Sequence, residues 1–303
     1  MNFKEELKEY TSYAEAVLKS YMPECTGYQK TVLDAMNYSV NAGGKRLRPI
    51  MLCAAYKMFG GGGTIVEPFM AAIEMIHSYS LIHDDMPELD NDSLRRGMPT
   101  THVRYGADQA LLAGDGLLNL AYETALKSFD IARGADRERC IAAVRVLANN
   151  AGIYGMVGGQ CLDVEADKKR RDLTEEEILF VYENKTAALI EAALKTGAIL
   201  GGADDRQTAT MEKAGSALGI AFQLQDDILD VYGSEKELGK PIGSDERNGK
   251  KTYLSYLGIE KAEKEQERLS LEASAMIEEM SGEGNEAGAF LKELFEVLVK
   301  RKR

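Results

Sequence analysis
The stretch EPFMAAIEMIHSYSLIHDD, Glu67–Asp85, decides the fold. Its apolar residues leave little room for a solvated face, which is the pattern of a buried helix. Pro68 suits a first helical turn, where its missing N–H costs nothing. The stretch just before it, IMLCAAYKMFG, reads the same way. Further upstream, Phe3, Leu7, Tyr10, Ala14, Val17 and Tyr21 step by four and three, so they share one helix face. TVLDAMNYSV makes a second helix, stopped by Gly43 and Gly44.

Downstream, DQALLAGDGLLNLAYETALKSF, RCIAAVRVLANNAGIYGMVGGQCLDV, LTEEEILFVYENKTAALIEAALKTGAIL and MEKAGSALGIAFQLQDDILDVYG continue the helical period. Thr174 and Glu177 have the spacing of a capping box. No series of alternating strands appears, and six prolines in 303 residues suit long helices. The expected class is all-α, with about ten or more helices around a central space. Length alone suggests about two domains. No Pro/Ser-rich linker, repeat or low-complexity run marks a boundary, so residues 1–303 read as a single domain.

The formal net charge is −12, from 49 acidic and 37 basic residues, which excludes a general nucleic-acid binder. Cys25, Cys53, Cys140 and Cys161 are widely spaced and read as free thiols of a reducing compartment. The N-terminus is charged and lacks the apolar core of a signal peptide. No apolar run is counted that reaches the ~18 residues of a membrane span; the best candidate, AALIEAALKTGAILGGA, is interrupted by Glu191 and Lys195. A soluble, cytoplasmic protein is expected.

The opening helix runs into an acidic cluster, Asp84, Asp85 and Asp90, spaced DDxxxxD with Pro87 breaking the register. A second cluster, Asp226, Asp227 and Asp230, is spaced DDxxD on an otherwise apolar helix. Asp226 and Asp230 are four apart and so share a face, with Gln223 on the same stripe. Acidic helix faces are common, and a lone DDxxD says little. A buried carboxylate stripe is nevertheless costly without partners, and divalent cations remove that cost. Magnesium takes a few carboxylates, several waters and substrate phosphates. A calcium loop starting at Asp90 is rejected, because Arg95 stands at the sixth position and Thr101 at the twelfth. The two clusters, about 140 residues apart, are expected to face each other across one cavity.

Basic residues accompany them. GGKRLRP carries Lys45, Arg46 and Arg48 beside a glycine pair; it is either an ordinary basic loop or a diphosphate clamp. His77 lies seven residues before Asp84, about two turns away on the same face. Arg95 and Arg96 follow the first cluster, and Lys185 and Thr186 sit inside an apolar helix. His83 and His102 are left structural. The segment Gly233–Tyr253 carries Lys240, Lys250 and Lys251, and reads as a solvated loop or as a lid over an anion. Acids for metals, bases for anions and apolar walls suit two substrates with diphosphate heads and hydrocarbon tails.

With these motifs together, the sequence resembles the trans-prenyltransferases (polyprenyl synthases), and among them most closely the bacterial farnesyl diphosphate synthases. The motifs run in family order over nearly the whole chain: GGKRLRP, HSYSLIHDDMPELDNDSLRRG, GGQCLDV, NKTAAL, FQLQDDILD, GKPIGSD and NGKKTY. The resemblance implies an all-helical fold of the isoprenoid synthase type, a homodimer and Mg2+ as cofactor. It implies that Asp84, Asp85, Asp90, Asp226, Asp227 and Asp230 bind the metal. Arg95, Lys185 and Lys240 would hold an allylic diphosphate (dimethylallyl or geranyl), and Lys45, Arg48, His77 and Arg96 isopentenyl diphosphate. Thr186 and Gln223 would lie near the reacting carbons. Leu254 stands where the family often has Pro.

Geometry does not choose between Tyr79 and Ser80 as the floor of the tail pocket, since Ser80 lies nearer the Asp84 stripe on an ideal helix. The resemblance selects Tyr79, together with the inserted Met86–Pro87, and implies a fifteen-carbon product. The alternatives are a geranylgeranyl diphosphate synthase, a terpene cyclase, and a non-catalytic subunit of a heteromeric synthase. The basic clamp argues against a cyclase, and the two complete acidic clusters argue against a silent subunit.

Overall fold
The structure is a computed structural model and describes residues 2–232 and 252–299. It is all-α, as expected. Two-residue strands β1 (Leu94–Arg95) and β2 (Met98–Pro99) form the only sheet among the described residues. The chain separates into two compact units, residues 1–53 with 63–144 and residues 54–62 with 145 onward. The boundaries after 53 and 144 fall inside helices, and the one after 62 falls in a loop.

In the first unit, α1 (Phe3–Tyr21) starts where the Asn2 side chain accepts from the Glu5 N–H. Tyr10, Ala14 and Val17 from the expected face are buried, with Leu18 beside them, while Phe3, Leu7 and Tyr21 are half-buried. α2 (Lys30–Asn41) and α3 (Leu47–Met58) follow. α4 (Glu67–Asp84) is buried nearly all round from Pro68 to Ile76. α1 packs on α4, and the Tyr13 hydroxyl donates to Glu67 at 2.8 Å. α5 (Thr101–Tyr105) leads into α6 (Ala107–Leu126), which offers α4 the small residues Ala110, Ala113 and Gly114. A methyl group on Gly114 would sit 2.0 Å from the His83 ring nitrogen, so this approach needs glycine. α7 (Ser128–Ile131) and the first half of α8 (Asp136–Ala151) complete the unit.

Two expected continuous helices are broken. The first breaks between α8 and α9 (Met156–Lys169). Gly155 adopts φ −147° and ψ −125°, and a Cβ there would lie 2.1 Å from the Asn150 carbonyl oxygen. This region also corrects the hydropathy reading. Residues 136–169 contain an 18-residue window of mean hydropathy 1.3, apolar enough by composition to cross a membrane, with 39% of it buried. The turn at 152–155 leaves helices of 16 and 14 residues, each short of the ~20 that a span requires.

The second break lies after α10 (Glu175–Val181), which opens with the expected capping box: Glu177 N–H donates to Thr174 Oγ1 and Thr174 N–H to Glu177 Oε2. A π-helical turn, Tyr182–Ala187, then separates it from α11 (Ala188–Gly201). α12 (Asp205–Tyr232) runs 28 residues, capped reciprocally by Asp204 and Gln207. α13 (Tyr253–Leu257), α14 (Ile259–Ser281) and α15 (Glu286–Val299) close the second unit. Ile228 of α12, Leu254 and Ala262 form a buried cluster joining α12, α13 and α14. Leu254, where the family often has Pro, is thus a core residue.

The π-turn is gripped from two sides. A Cβ on Gly159 of α9 would meet the Lys185 amide nitrogen at 2.3 Å, and one on Gly219 of α12 would meet Ala187 Cβ at 2.3 Å. Added volume in such a contact forces a backbone shift. Gly159→Ala is therefore expected to lower stability by about 1–3 kcal/mol, read as a lower urea midpoint. An unchanged midpoint would show that α9 and the π-turn are not packed this closely.

Candidate active site
In the first unit, the site is built at the C-terminal end of α4. Asp84 is the last helical residue, and the Asp85 N–H still bonds to Leu81 O. The chain then folds back: Met86 N–H bonds to His83 O, Leu89 N–H and Asn91 N–H to Met86 O, and Asp90 N–H to Asp84 O at 2.9 Å. Asn91 sits at φ +53°, a left-handed conformation that Asn tolerates better than most residues. The extra residues of DDxxxxD therefore close a loop, and Asp90 returns beside Asp84. Asp84 is half-buried, Asp85 is buried and Asp90 is exposed. Glu88 and Asp92 are also exposed.

The β1–β2 hairpin turns through Arg96 and Gly97, both at positive φ (+54° and +77°), the signature of a type I′ turn. That turn separates the two arginines. Arg95 forks onto Asp85, with Nε–Oδ1 and Nε–Oδ2 at 2.8 Å and Nη2–Oδ1 at 2.6 Å. Burial pushes the Asp85 carboxyl up, against the opposing pull of Arg95. The Arg96 guanidinium instead lies against Gly44, where a Cβ would come within 2.8 Å of Nη1 and Nη2.

The Arg96 side belongs to a basic cluster. Arg46, at φ +50°, is buried and donates to Glu74 (2.8 Å) and to Val40 O (2.7 Å). Lys45 is exposed beside it. Arg48, in the first turn of α3, keeps its Nε buried without a hydrogen-bond partner. Burial, and then Arg96, lower the Arg48 pKa, while Glu74 opposes them. Burial holds His77 well below its ordinary pKa, reinforced by Arg48, Arg96, Arg95 and Arg46. His77 is therefore held neutral at pH 7 by burial and by the surrounding arginines. An orphaned guanidinium N–H in such surroundings fits an anion.

Tyr79 and Ser80 differ in availability. The Ser80 hydroxyl donates back to His77 O at 3.0 Å. Tyr79 is buried, its ring edge-on to His83 at 5.7 Å, and its hydroxyl has no partner. Burial, then Tyr122 and Asp84, push its pKa up to about 12.

In the second unit, the π-turn presents Lys185 and Thr186. Lys185 Nζ bonds to Asp163 of α9 at 2.7 Å. Thr186 Oγ1 donates to Gln223 Oε1 at 3.0 Å, and Gln223 Nε2 donates to Asp227 Oδ1 at 3.2 Å. The buried Tyr182 hydroxyl donates to Asp227 Oδ2. Asp227 and Asp230 are buried, whereas Asp226 is partly open. Lys240 lies outside the described residues.

Among the described residues, no three His, Cys, Asp or Glu side chains converge as a ready-made metal cage. The donors are hard carboxylate oxygens in two small sets, which fits a cation that keeps waters and takes its remaining ligands from phosphate.

Comparison with known proteins gives the same reading. The polyprenyl synthetase family model matches residues 29–290. The chain belongs to the polyprenyl synthetase family. Membership makes it a prenyltransferase. It is 43% identical over 258 residues to a farnesyl diphosphate synthase of Geobacillus stearothermophilus, covering 84% of each chain. It is also 43% identical over 250 residues to a chloroplastic geranylgeranyl pyrophosphate synthase of Catharanthus roseus, covering 82% of this chain and 69% of that one. Among solved structures, a geranyltransferase of Helicobacter pylori complexed with magnesium and isoprenyl diphosphate superposes with TM-score 0.84 at 29% identity, covering 99% and 98% of the two chains.

Sequence reasoning missed three partners of this polyprenyl synthetase's polar residues. Glu74 carried a signal, since a lone acid inside an apolar helix needs a cation. Asp163 lay inside the GGQCLDV motif. Tyr182 carried no signal, because its partner is 45 residues away. The Gly44 contact makes Arg96 testable. Gly44→Ala must displace the guanidinium, so calorimetry is expected to show inorganic diphosphate binding roughly tenfold weaker. Unchanged affinity would remove Arg96 from the anion site.

Proposed function
We propose that the chain joins isopentenyl diphosphate to dimethylallyl or geranyl diphosphate and stops at farnesyl diphosphate. One observation carries the reading: the first unit holds an acidic turn and, on the same α4 framework, a separate arginine cluster with an orphaned Arg48 N–H and a neutral His77. A single-diphosphate enzyme has no use for that second anion site. The family model runs across both units, which supports their acting as one domain. Leu111, Leu112 and Leu126, exposed on α6, support a homodimer.

Lys45, Arg48, His77 and Arg96 hold isopentenyl diphosphate, and Arg95, Lys185 and Lys240 the allylic diphosphate. Asp84, Asp85, Asp90, Asp226, Asp227 and Asp230 hold Mg2+. The metal, when bound, neutralises charge gathering on the departing diphosphate. The arginines and lysines orient both head groups, so the allylic C1 is held against the isopentenyl double bond. The C1–O bond breaks, the double bond attacks C1, and a proton leaves the neighbouring carbon for the released diphosphate. Thr186 and Gln223 lie near the cation, and the Thr186 hydroxyl, whose proton goes to Gln223 Oε1, turns its oxygen toward it. Water is excluded, because it would capture the cation as an alcohol.

A geranylgeranyl product is the competing reading, favoured by the equally similar plant relative. Chromatography of products from isopentenyl and geranyl diphosphates separates the two, and fifteen carbons is the expected outcome. Asp84→Ala and Asp226→Ala are each expected to cut turnover by roughly 10²-fold or more with an unchanged circular dichroism spectrum. Near-normal turnover would overturn the metal assignment. Tyr79→Ala opens the floor of the tail pocket and is expected to lengthen the product. An unaltered product distribution would show that the floor lies elsewhere.

A further inference from the structure
Glu74 has no part in the steps above, yet it is a carboxylate only 2% exposed inside an otherwise apolar helix. Arg46, itself 5% exposed, donates from Nη1 to Glu74 Oε1 at 2.8 Å and from Nη2 to Val40 O at 2.7 Å, in the last turn of α2. A second acid, Glu15, lies 3.9 Å from Arg46 Nε but is exposed, where water screens it. The backbone around Arg46 is unusual. Gly43, Gly44 and Arg46 all have positive φ (+85°, +139° and +50°). The Arg46 carbonyl accepts the Ile50 N–H at 3.1 Å and so opens α3. One guanidinium thus ties together the end of α2, the glycine turn, the start of α3 and α4. The anion-clamp residues ride on these pieces. Lys45 precedes Arg46, Arg48 follows two residues later, and His77 is three residues beyond Glu74 on α4. The Arg96 guanidinium lies against Gly44.

Charge makes this arrangement depend on Glu74. Burial lowers the pKa of both Arg48 and Arg96, and Glu74 is the charge that opposes it most. Asp85, the other acid acting on Arg96, is already bonded to Arg95. Like charges in a buried site separate unless a counter-charge gathers them. Val40 O satisfies one N–H but carries no charge, so Arg46 left with that bond would be a buried cation without a buried counter-ion. We infer that Glu74 is a positioning residue: through Arg46 it holds the loop before α3, and through its charge it gathers Arg48 and Arg96, so that the isopentenyl diphosphate clamp stands assembled before the substrate arrives. The inference rests on the prenyl-transfer reading and on its assignment of that clamp. Neutralising Glu74 has two opposed effects. The cluster gains positive charge, which favours an anion, and it loses its geometry, which disfavours one. A diphosphate is held by directed N–H bonds, and a misplacement of about 1 Å can cost ~10²-fold, so the loss of geometry wins.

The test uses the full-length chain with Glu74→Gln, and with Glu74→Leu and Arg46→Met together. Replacing a buried ion pair by apolar side chains of similar volume often leaves a fold as stable or more so, so the double variant separates holding the fold from holding the clamp. In Glu74→Gln, KM for isopentenyl diphosphate is expected to rise roughly tenfold or more, as for one lost charge-assisted hydrogen bond, while KM for geranyl diphosphate stays within about twofold. Calorimetric titration with isopentenyl diphosphate is expected to show the same loss. The double variant is expected to have a urea midpoint at or above that of Glu74→Gln and the same raised KM. Where Glu74→Gln does not fold, the double variant gives the reading by itself. Three results would overturn the inference. Tighter or unchanged binding of isopentenyl diphosphate in Glu74→Gln would show that its geometry is set elsewhere. An equal rise in both KM values would mark a general disturbance of the fold. Wild-type affinity in the double variant would reduce the pair to a support of stability. Failure of the underlying reading looks different: a wild-type chain that forms no elongated product refutes prenyl transfer, and an Arg48→Ala variant with unchanged KM for isopentenyl diphosphate refutes the clamp assignment.

Discussion
The buried ion pair between Arg46 and Glu74 is the interaction on which the first unit's site depends. Both side chains are nearly inaccessible, with Nη1 and Oε1 2.8 Å apart. Removing either partner of such a pair leaves a buried charge uncompensated, at a cost of about 3–5 kcal/mol. The pair therefore fixes α4 against the loop that carries Gly43, Gly44 and Lys45. Arg46 reaches Glu74 only by adopting a positive φ, a conformation that a tightly packed interior must enforce. Glu74 also attracts Arg48 and Arg96, whose pKa values it raises against burial. One carboxylate thus holds a group of arginines that would otherwise repel one another. His77, one turn further along α4, is the group left neutral beside them.

The second unit solves a different problem. It must present Lys185 and Thr186 from within an apolar helical segment, and a regular α-helix spaces side chains in fixed steps. The π-turn at Tyr182–Ala187 inserts a phase change between α10 and α11. Such a turn is sustained only where its neighbours match its shape. Gly159 and Gly219 supply that match by omitting a side chain at the two closest approaches. Lys185 then meets the buried Asp163, a charged partner for its ammonium group.

The legible part of the sequence was whatever depends on regular periodicity. The apolar face of α1, the near-complete burial of α4, the capping box at Thr174 and the DDxxD register on α12 all follow from 3.6 residues per turn. The two broken helices were harder to read for the same reason. The turn at 152–155 and the π-turn at 182–187 depart from that period; Gly152, Gly155, Gly158 and Gly159 mark the first, and no composition change announces the second. GGKRLRP shows a further limit: spacing marks Lys45, Arg46 and Arg48 as equals, while the fold buries Arg46 in an ion pair and leaves the Arg48 Nε without a partner. Partners remote in sequence, such as Tyr182 for Asp227, become visible only when the chain is folded.

The two acidic clusters look alike in sequence but are held by different chemistry. Asp85 is gripped by a guanidinium, which carries a full positive charge and largely neutralises it. Asp227 is gripped by a phenol hydroxyl and an amide, both neutral. A cation competes with Arg95 for Asp85, because both satisfy the same charge. At Asp227 the Tyr182 hydroxyl and the Gln223 amide are neutral donors and cancel none of its charge. The first cluster therefore contains an internal counter-ion, and the second keeps its negative charge uncancelled by those donors. That difference arises from the loop in DDxxxxD, which brings Arg95 back to Asp85 through a hairpin.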